Sequence, residues 1–143
     1  MQKNLEYLLN ALLHFSEWLE ENMKQDSDLK DLTNRQLYCI ESIRDINNPS
    51  LSELAIHMNI AKASMSVMIE RLQKNEYIYK VASDSDRRTA HIHLTEKGER
   101  ASQLHTELHK KISELLTKDM TASEKEILIV LLNKSVTSLK KSI

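Results

Sequence analysis

The chain is nearly devoid of residues that break regular structure: its 143 residues include one glycine and one proline. Long helices are therefore expected, and a glycine-rich phosphate loop is excluded. Aromatics are scarce at 4% of the chain, and the apolar content comes mostly from Leu, Ile and Met, which suits helix-on-helix packing better than a sheet core. The single cysteine, Cys39, rules out an internal disulfide and fits a reducing, cytoplasmic setting. No apolar run approaches the roughly 18 to 20 residues of a membrane span. The amphipathic start, MQKNLEYLLNALLHF, lacks the small-residue cleavage site of a signal peptide. Neither H-E-x-x-H nor a G-x-S-x-G elbow is present, so the sequence offers no catalytic constellation and no cofactor is expected.

Charge is also nearly absent as a net quantity, at −1, but it is unevenly placed. Residues 1–31 carry three lysines against seven acids, whereas residues 60–93 carry six basic side chains against four acids. An acidic end and a mildly basic middle are compatible with one nucleic-acid-facing surface.

What is present is helical periodicity. Over residues 3–24, Leu5, Leu9, Leu12, Phe15 and Leu19 form a stripe widened by Leu8, Leu13 and Trp18. That stripe is too broad for a free surface helix, and a second subunit is one candidate to cover it. A polar connection over 25–31 leads to Thr33 and Gln36, a capping box flanked by the Leu32 and Leu37 staple. Leu37, Ile40 and Ile43 then face inward, until Asn47-Asn48-Pro49 ends the helix. Ser50 and Glu53 form another box, opening a short helix with Leu54, Ala55 and Met58 inside. Asn59 tolerates the left-handed conformation of a tight turn. A further helix over about 62–75 places Met65, Met68, Ile69 and Leu72 on one face. Two short helices across such a turn constitute a helix-turn-helix.

The period then changes. Residues 77–83 and 90–94 are short β-rich runs around the charged tip Asp84-Ser85-Asp86-Arg87-Arg88-Thr89. Thr95 caps a long helix bearing Ala101, Leu104, Leu108, Ile112 and Leu115. Thr121 and Glu124 box in a last helix with Ile127, Leu128, Leu131, Val136 and Leu139.

The segments LTNRQL, SLSELAIHMNIAKASMSVMIERLQKNEYI and DSDRRTAHIHLTEKG occur in this order, and from Leu32 to Gly98 the chain resembles the MarR family of bacterial regulators. The resemblance implies a mainly α fold with a small β-wing: a winged helix-turn-helix flanked by N- and C-terminal dimerisation helices. The expectation is a single domain over 1–143, with a DNA-binding lobe at about 32–98 and dimerisation helices at 1–31 and 99–143. Three residues depart from the family pattern. Ala61 stands where a hydroxyl N-cap is usual, a loss of about 1 kcal/mol. Glu76 replaces a usual Gly, which leaves Asn75 as the expected helix terminator. Val67 replaces a polar or basic residue.

A recognition helix needs a buried apolar face and short or polar side chains on the other, so that its backbone can enter the major groove. Lys62, Ala63, Ser64, Ser66 and Val67 lie opposite the Met65–Leu72 stripe. Ser64 and Ser66 suit base edges, Ala63 and Val67 thymine methyls, Lys62 a base or phosphate, and Arg71 a phosphate. Arg87 and Arg88 suit insertion into a narrow minor groove. By the resemblance, Arg88 enters the groove and Asp86 orients it, with Arg87 on a phosphate. Lys80 and Ser50 are further phosphate candidates.

Together these features predict a sequence-specific, non-enzymatic regulator of transcription, binding near-palindromic double-stranded DNA as a homodimer. The family further implies a repressor under small-molecule control, although no residue names the effector. One alternative is a zinc-responsive regulator: His105 and His109 are four apart on one helix, with Glu20 as the acid on the first helix. The branch that uses such a pair has His where this chain has Tyr38, so no metal is favoured. Cys39 as an oxidant sensor lacks a basic neighbour and is placed in the core instead. The other alternative is a winged-helix protein-interaction module without DNA binding, which would have no reason to keep paired arginines at its wing tip.

Overall fold

The computed structural model describes residues 4–25, 27, 29–85 and 89–142. In chain order the elements are α1 (Leu5–Gln25), α2 (Asn34–Ile46), α3 (Leu51–His57), α4 (Lys62–Lys74), β1 (Ile78–Ala82), β2 (Ala90–Leu94), α5 (Glu96–Leu116) and α6 (Ala122–Lys141). This is the mainly helical, two-strand-wing architecture that the sequence implies. The chain divides into two compact units, Met1–Leu108 and His109–Ile143. Among the described residues, no helix is long and apolar enough to cross a membrane.

Local chemistry accounts for most of the boundaries in the first unit. Thr33 Oγ1 accepts from Gln36 N at 3.2 Å while Gln36 Oε1 accepts from Thr33 N at 2.9 Å, the reciprocal box that starts α2. Asn47 and Asn48 end α2 in left-handed conformations, at φ 63° and 59°. The Ser50–Glu53 box starts α3 in the same way. Asn59 takes the left-handed turn between α3 and α4 at φ 52°, as its residue type implies. Ala61 precedes α4 and gives it no side-chain cap.

The core lies where these helices meet. Leu37, Ile40, Ile43, Leu54, Met65, Ile69, Leu72 and Ile92 are fully buried, with Met58, Ile60, Met68 and Leu104 packed at its margin. Cys39 sits in this core, and burial pushes its thiol pKa up to about 12. The thiolate needed for sensing chemistry is thus suppressed.

The wing is an antiparallel ribbon in which Ile78 faces Leu94 and Ala82 faces Ala90. The outer edge of β2 is anchored: Ile92 N donates to Pro49 O at 2.9 Å, and His91 Nδ1 lies 3.0 Å from Asn48 O. The ribbon is thereby held against the start of α3. Residue 77, expected as the first strand residue, instead completes the end of α4, because Tyr77 N bonds Leu72 O at 2.9 Å.

Helix α1 is fastened at its last turn. Buried Lys24 donates from Nζ to Leu32 O and Asn34 Oδ1, both at 3.0 Å, and pairs with Glu20 at 3.6 Å. A buried ammonium persists only with such partners. The expected apolar stripe of α1 is real but uncovered: Leu5, Leu8, Leu9, Leu12, Leu13, Phe15 and Trp18 are all exposed. In the second unit α6 begins with the expected Thr121–Glu124 box and buries no residue. Ile127, Leu131, Val136 and Leu139 face solvent there, while Leu128 and Leu132 border a cleft of about 410 Å³ with Ile112 and Leu116.

Candidate nucleic-acid interface

Helix α4 turns Met65, Ile69 and Leu72 into the core, which leaves Lys62, Ala63, Ser64 and Val67 exposed and Ser66 half-buried. The exposed side carries no bulky polar group before Glu70 apart from Lys62, so a flat nucleic-acid edge can approach the helix backbone.

Three elements converge beside it. An open cleft of about 760 Å³ is lined by Ser50 and Ser52 from the start of α3, Lys62, Ala63 and Ser66 from α4, and Lys80 from β1. Five candidates scattered over thirty residues of sequence thus share one concavity. With Thr89, which also lines it, the cleft brings two ammonium groups and four hydroxyls to one place, a donor set suited to phosphate oxygens. Ser52 was missed in the sequence, where it reads as one more polar residue of a short helix; only the fold places it here.

Ser50 carries a second duty. Its Oγ accepts from Glu53 N at 3.3 Å and its own N–H donates to Glu53 Oε2 at 2.7 Å. Those bonds to Ser50, backbone first and then side chain, hold the Glu53 carboxyl below the usual carboxylate range. Ser66 lies 3.5 Å from Glu70 Oε1, a contact loose enough to give up to a ligand.

Ser64, Val67 and Arg71 are on the exposed side of α4 but do not line the cleft. Arg71 lies in the last turn, where its charge also complements the helix dipole. Asp86, Arg87 and Arg88 lie outside the described residues.

The metal candidates from the sequence are Glu20, His105 and His109. Glu20 is held by Lys24, as described above. Buried His105 has Nε2 3.2 Å from Glu41 Oε2, and Arg44 lies 3.8 Å from the other oxygen of Glu41. The acid beside His105 is therefore Glu41, a residue the sequence reading passed over. His109 is exposed and borders the cleft between the end of α5 and α6.

The architecture defines a class: a helix-turn-helix with a short docked ribbon. The MarR family model matches residues 32–90. The chain is 28% identical over 130 residues to an uncharacterised HTH-type transcriptional regulator, YsmB of Bacillus subtilis, covering 91% of this chain and 86% of that one. Among solved structures it is similar to Streptococcus pneumoniae FabT in complex with DNA, with TM-score 0.85, 25% identity and 96% of each chain covered. A MepR mutant of S. aureus bound to an oligodeoxyribonucleotide shares the fold, with TM-score 0.68 at 18% identity over 96% of this chain and 99% of that one. Residues 32–90 thus match the MarR family, and over nearly its whole length the chain is similar to winged helix-turn-helix transcriptional regulators rather than to enzymes.

Proposed function

We propose that the chain acts as a homodimer on a near-palindromic duplex, as a repressor whose grip is relaxed by a small-molecule effector. In this reading α4 enters the major groove. Ser64 and Ser66 meet base edges, Ala63 and Val67 meet thymine methyls, and Arg71 meets a phosphate. Lys62, Lys80 and Ser50 hold backbone phosphates beside it, while the wing carries Arg88 into the adjacent minor groove with Asp86 orienting it and Arg87 on a phosphate. The observation that carries the reading is the shared cleft: lysines from the recognition helix and from the wing border the same small-faced surface. The DNA-bound forms of FabT and the MepR mutant lend support by similarity.

Dimerisation follows from the uncovered apolar faces of α1 and α6, which a second copy would bury. Two-fold symmetry then sets the recognition helices about one DNA turn, roughly 10 base pairs, apart. An effector that alters this spacing lowers DNA affinity, and DNA weakens the effector by the same factor.

Selection of bound duplexes from a random pool tests the reading directly. Recovery of a palindrome with half-sites about 10 base pairs apart is expected. A pool that shows no enrichment after repeated rounds in dilute buffer would sink it. On the selected duplex, Arg88→Ala should abolish tight binding while the dimer stays folded, measured by gel shift at fixed salt. Lys80→Ala should weaken all duplexes alike and lower the salt slope by about one charge.

A further inference from the structure

The end of the recognition helix and the base of the wing are tied together by a four-residue segment, 95–98. Helix α4 closes with two reversed bonds, Tyr77 N to Leu72 O at 2.9 Å and Glu76 N to Gln73 O at 3.0 Å. This is a Schellman closure, and it requires a left-handed residue, which Glu76 supplies at φ 62°. The closure leaves three successive carbonyls, of Asn75, Glu76 and Tyr77, pointing away from the helix.

Segment 95–98 satisfies all three. Lys97 Nζ donates to Asn75 O at 3.1 Å, Thr95 Oγ1 to Glu76 O at 2.6 Å, and Thr95 N to Tyr77 O at 3.0 Å. Thr95 Oγ1 also accepts from Gly98 N at 3.1 Å, so the same hydroxyl caps α5. The Lys97 ammonium stands 4.3 Å over the buried Tyr77 ring. The one glycine of the chain lies here because an added Cβ would overlap the Tyr77 carbonyl oxygen. Tyr77 runs directly into β1 and Leu94 directly into Thr95, so the knot sits at the foot of the ribbon, beside the Ile78–Leu94 pair.

We infer that Thr95 is a positioning residue for DNA binding: through Glu76 and Gly98 it fixes the angle between the recognition helix and the wing, so that both meet adjacent grooves of one duplex. The inference rests on the DNA reading above. A ribbon of two short strands has little stiffness of its own, and a small rotation about its foot would displace its far end by several ångströms. A single hydroxyl that donates to one element and accepts from another is suited to prevent this.

The test compares the unmodified chain with Thr95→Val and Thr95→Ser on a duplex selected from a random pool. Hydroxyl-radical footprinting reads the minor groove under the wing, and dimethyl sulfate protection reads the major groove under α4. Thr95→Val, nearly equal in volume, should bind about tenfold more weakly. It should lose the minor-groove protection while keeping the major-groove protection at saturating protein. Thr95→Ser should restore both, and Gly98→Ala should reproduce the Val pattern. Circular dichroism confirms that each variant remains folded. Loss of the two protections in equal proportion would mean that Thr95 matters only for folding and would overturn the assignment, as would an unchanged footprint in Thr95→Val. Absence of any protection by the unmodified chain would overturn the DNA reading itself and, with it, this role for Thr95.

Discussion

The lobe around α2 to α4 and the helix α6 are built from equally good helical sequence, yet they end in opposite conditions. In α2, Leu37, Ile40 and Ile43 are all buried, whereas α6 carries Ile127, Leu131, Val136 and Leu139 and buries none of them. Both helices begin with a complete capping box. The difference lies in what faces them: α2 finds α3 and the wing within the chain, whereas α6 leaves its apolar side chains exposed. Local chemistry starts a helix, but only a partner covers its apolar face.

The strongest way to sharpen this contrast is to damage each region and ask what is lost. Ile69→Ala removes a fully buried side chain and should lower stability by about 2 to 5 kcal/mol, seen as a fall in the urea midpoint. Leu131→Asp should leave the lobe intact and instead weaken self-association on the order of 100-fold, measured by sedimentation equilibrium. A Leu131→Asp chain that associates normally would show that α6 is not the dimer surface.

The next effect concerns the core thiol. Its raised pKa means that the protonated form stabilises the fold, fully below the ordinary thiol value and decreasingly as pH rises toward 12. Stability should therefore fall between about pH 9 and 12, and Cys39→Ala should flatten that slope in urea titrations despite its lower starting stability. Native protein should resist iodoacetamide at neutral pH. Rapid labelling would remove Cys39 from the core.

Glu76→Gly should stabilise the lobe by about 1 kcal/mol, since a left-handed Glu carries a strain that Gly does not. A thermal melt reads it. The smallest effect belongs to the caps, which both regions share. Glu53 and Glu124 accept bonds from Ser50 and Thr121 that depress their carboxyl pKa, so their contribution is present above the ordinary carboxylate pKa and is lost as pH falls below it. Ser50→Ala and Thr121→Ala should each flatten the acid limb of the stability profile. If only one did, the two boxes would not be equivalent.

Much of the lobe was legible beforehand because its signals are short-range. A hydroxyl three residues before an acid or amide, an Asn after an apolar run and a shift from helical to alternating period each act within one turn of chain. Glu76 marks the limit of that logic. Residue preference favoured Asn75 as the helix terminator, and Asn75 does cap α4 at φ −88°, but the left-handed residue that completes the closure is Glu76. The bond from Thr95 Oγ1, nineteen residues away, holds its carbonyl there, and no local preference reports it. Ser52 and Glu41 were passed over for the same reason, since their partners come from other elements.

By itself the sequence determined where helices start and stop, which faces are apolar and where the period changes, because these depend on neighbours within a few residues. Tertiary structure alone decided that Ser50, Ser52, Lys62, Ser66 and Lys80 share one cleft and that segment 95–98 clasps the end of α4. Those outcomes are contacts across long stretches of chain, set by how the buried faces pack. The order of residues specifies them only through the fold.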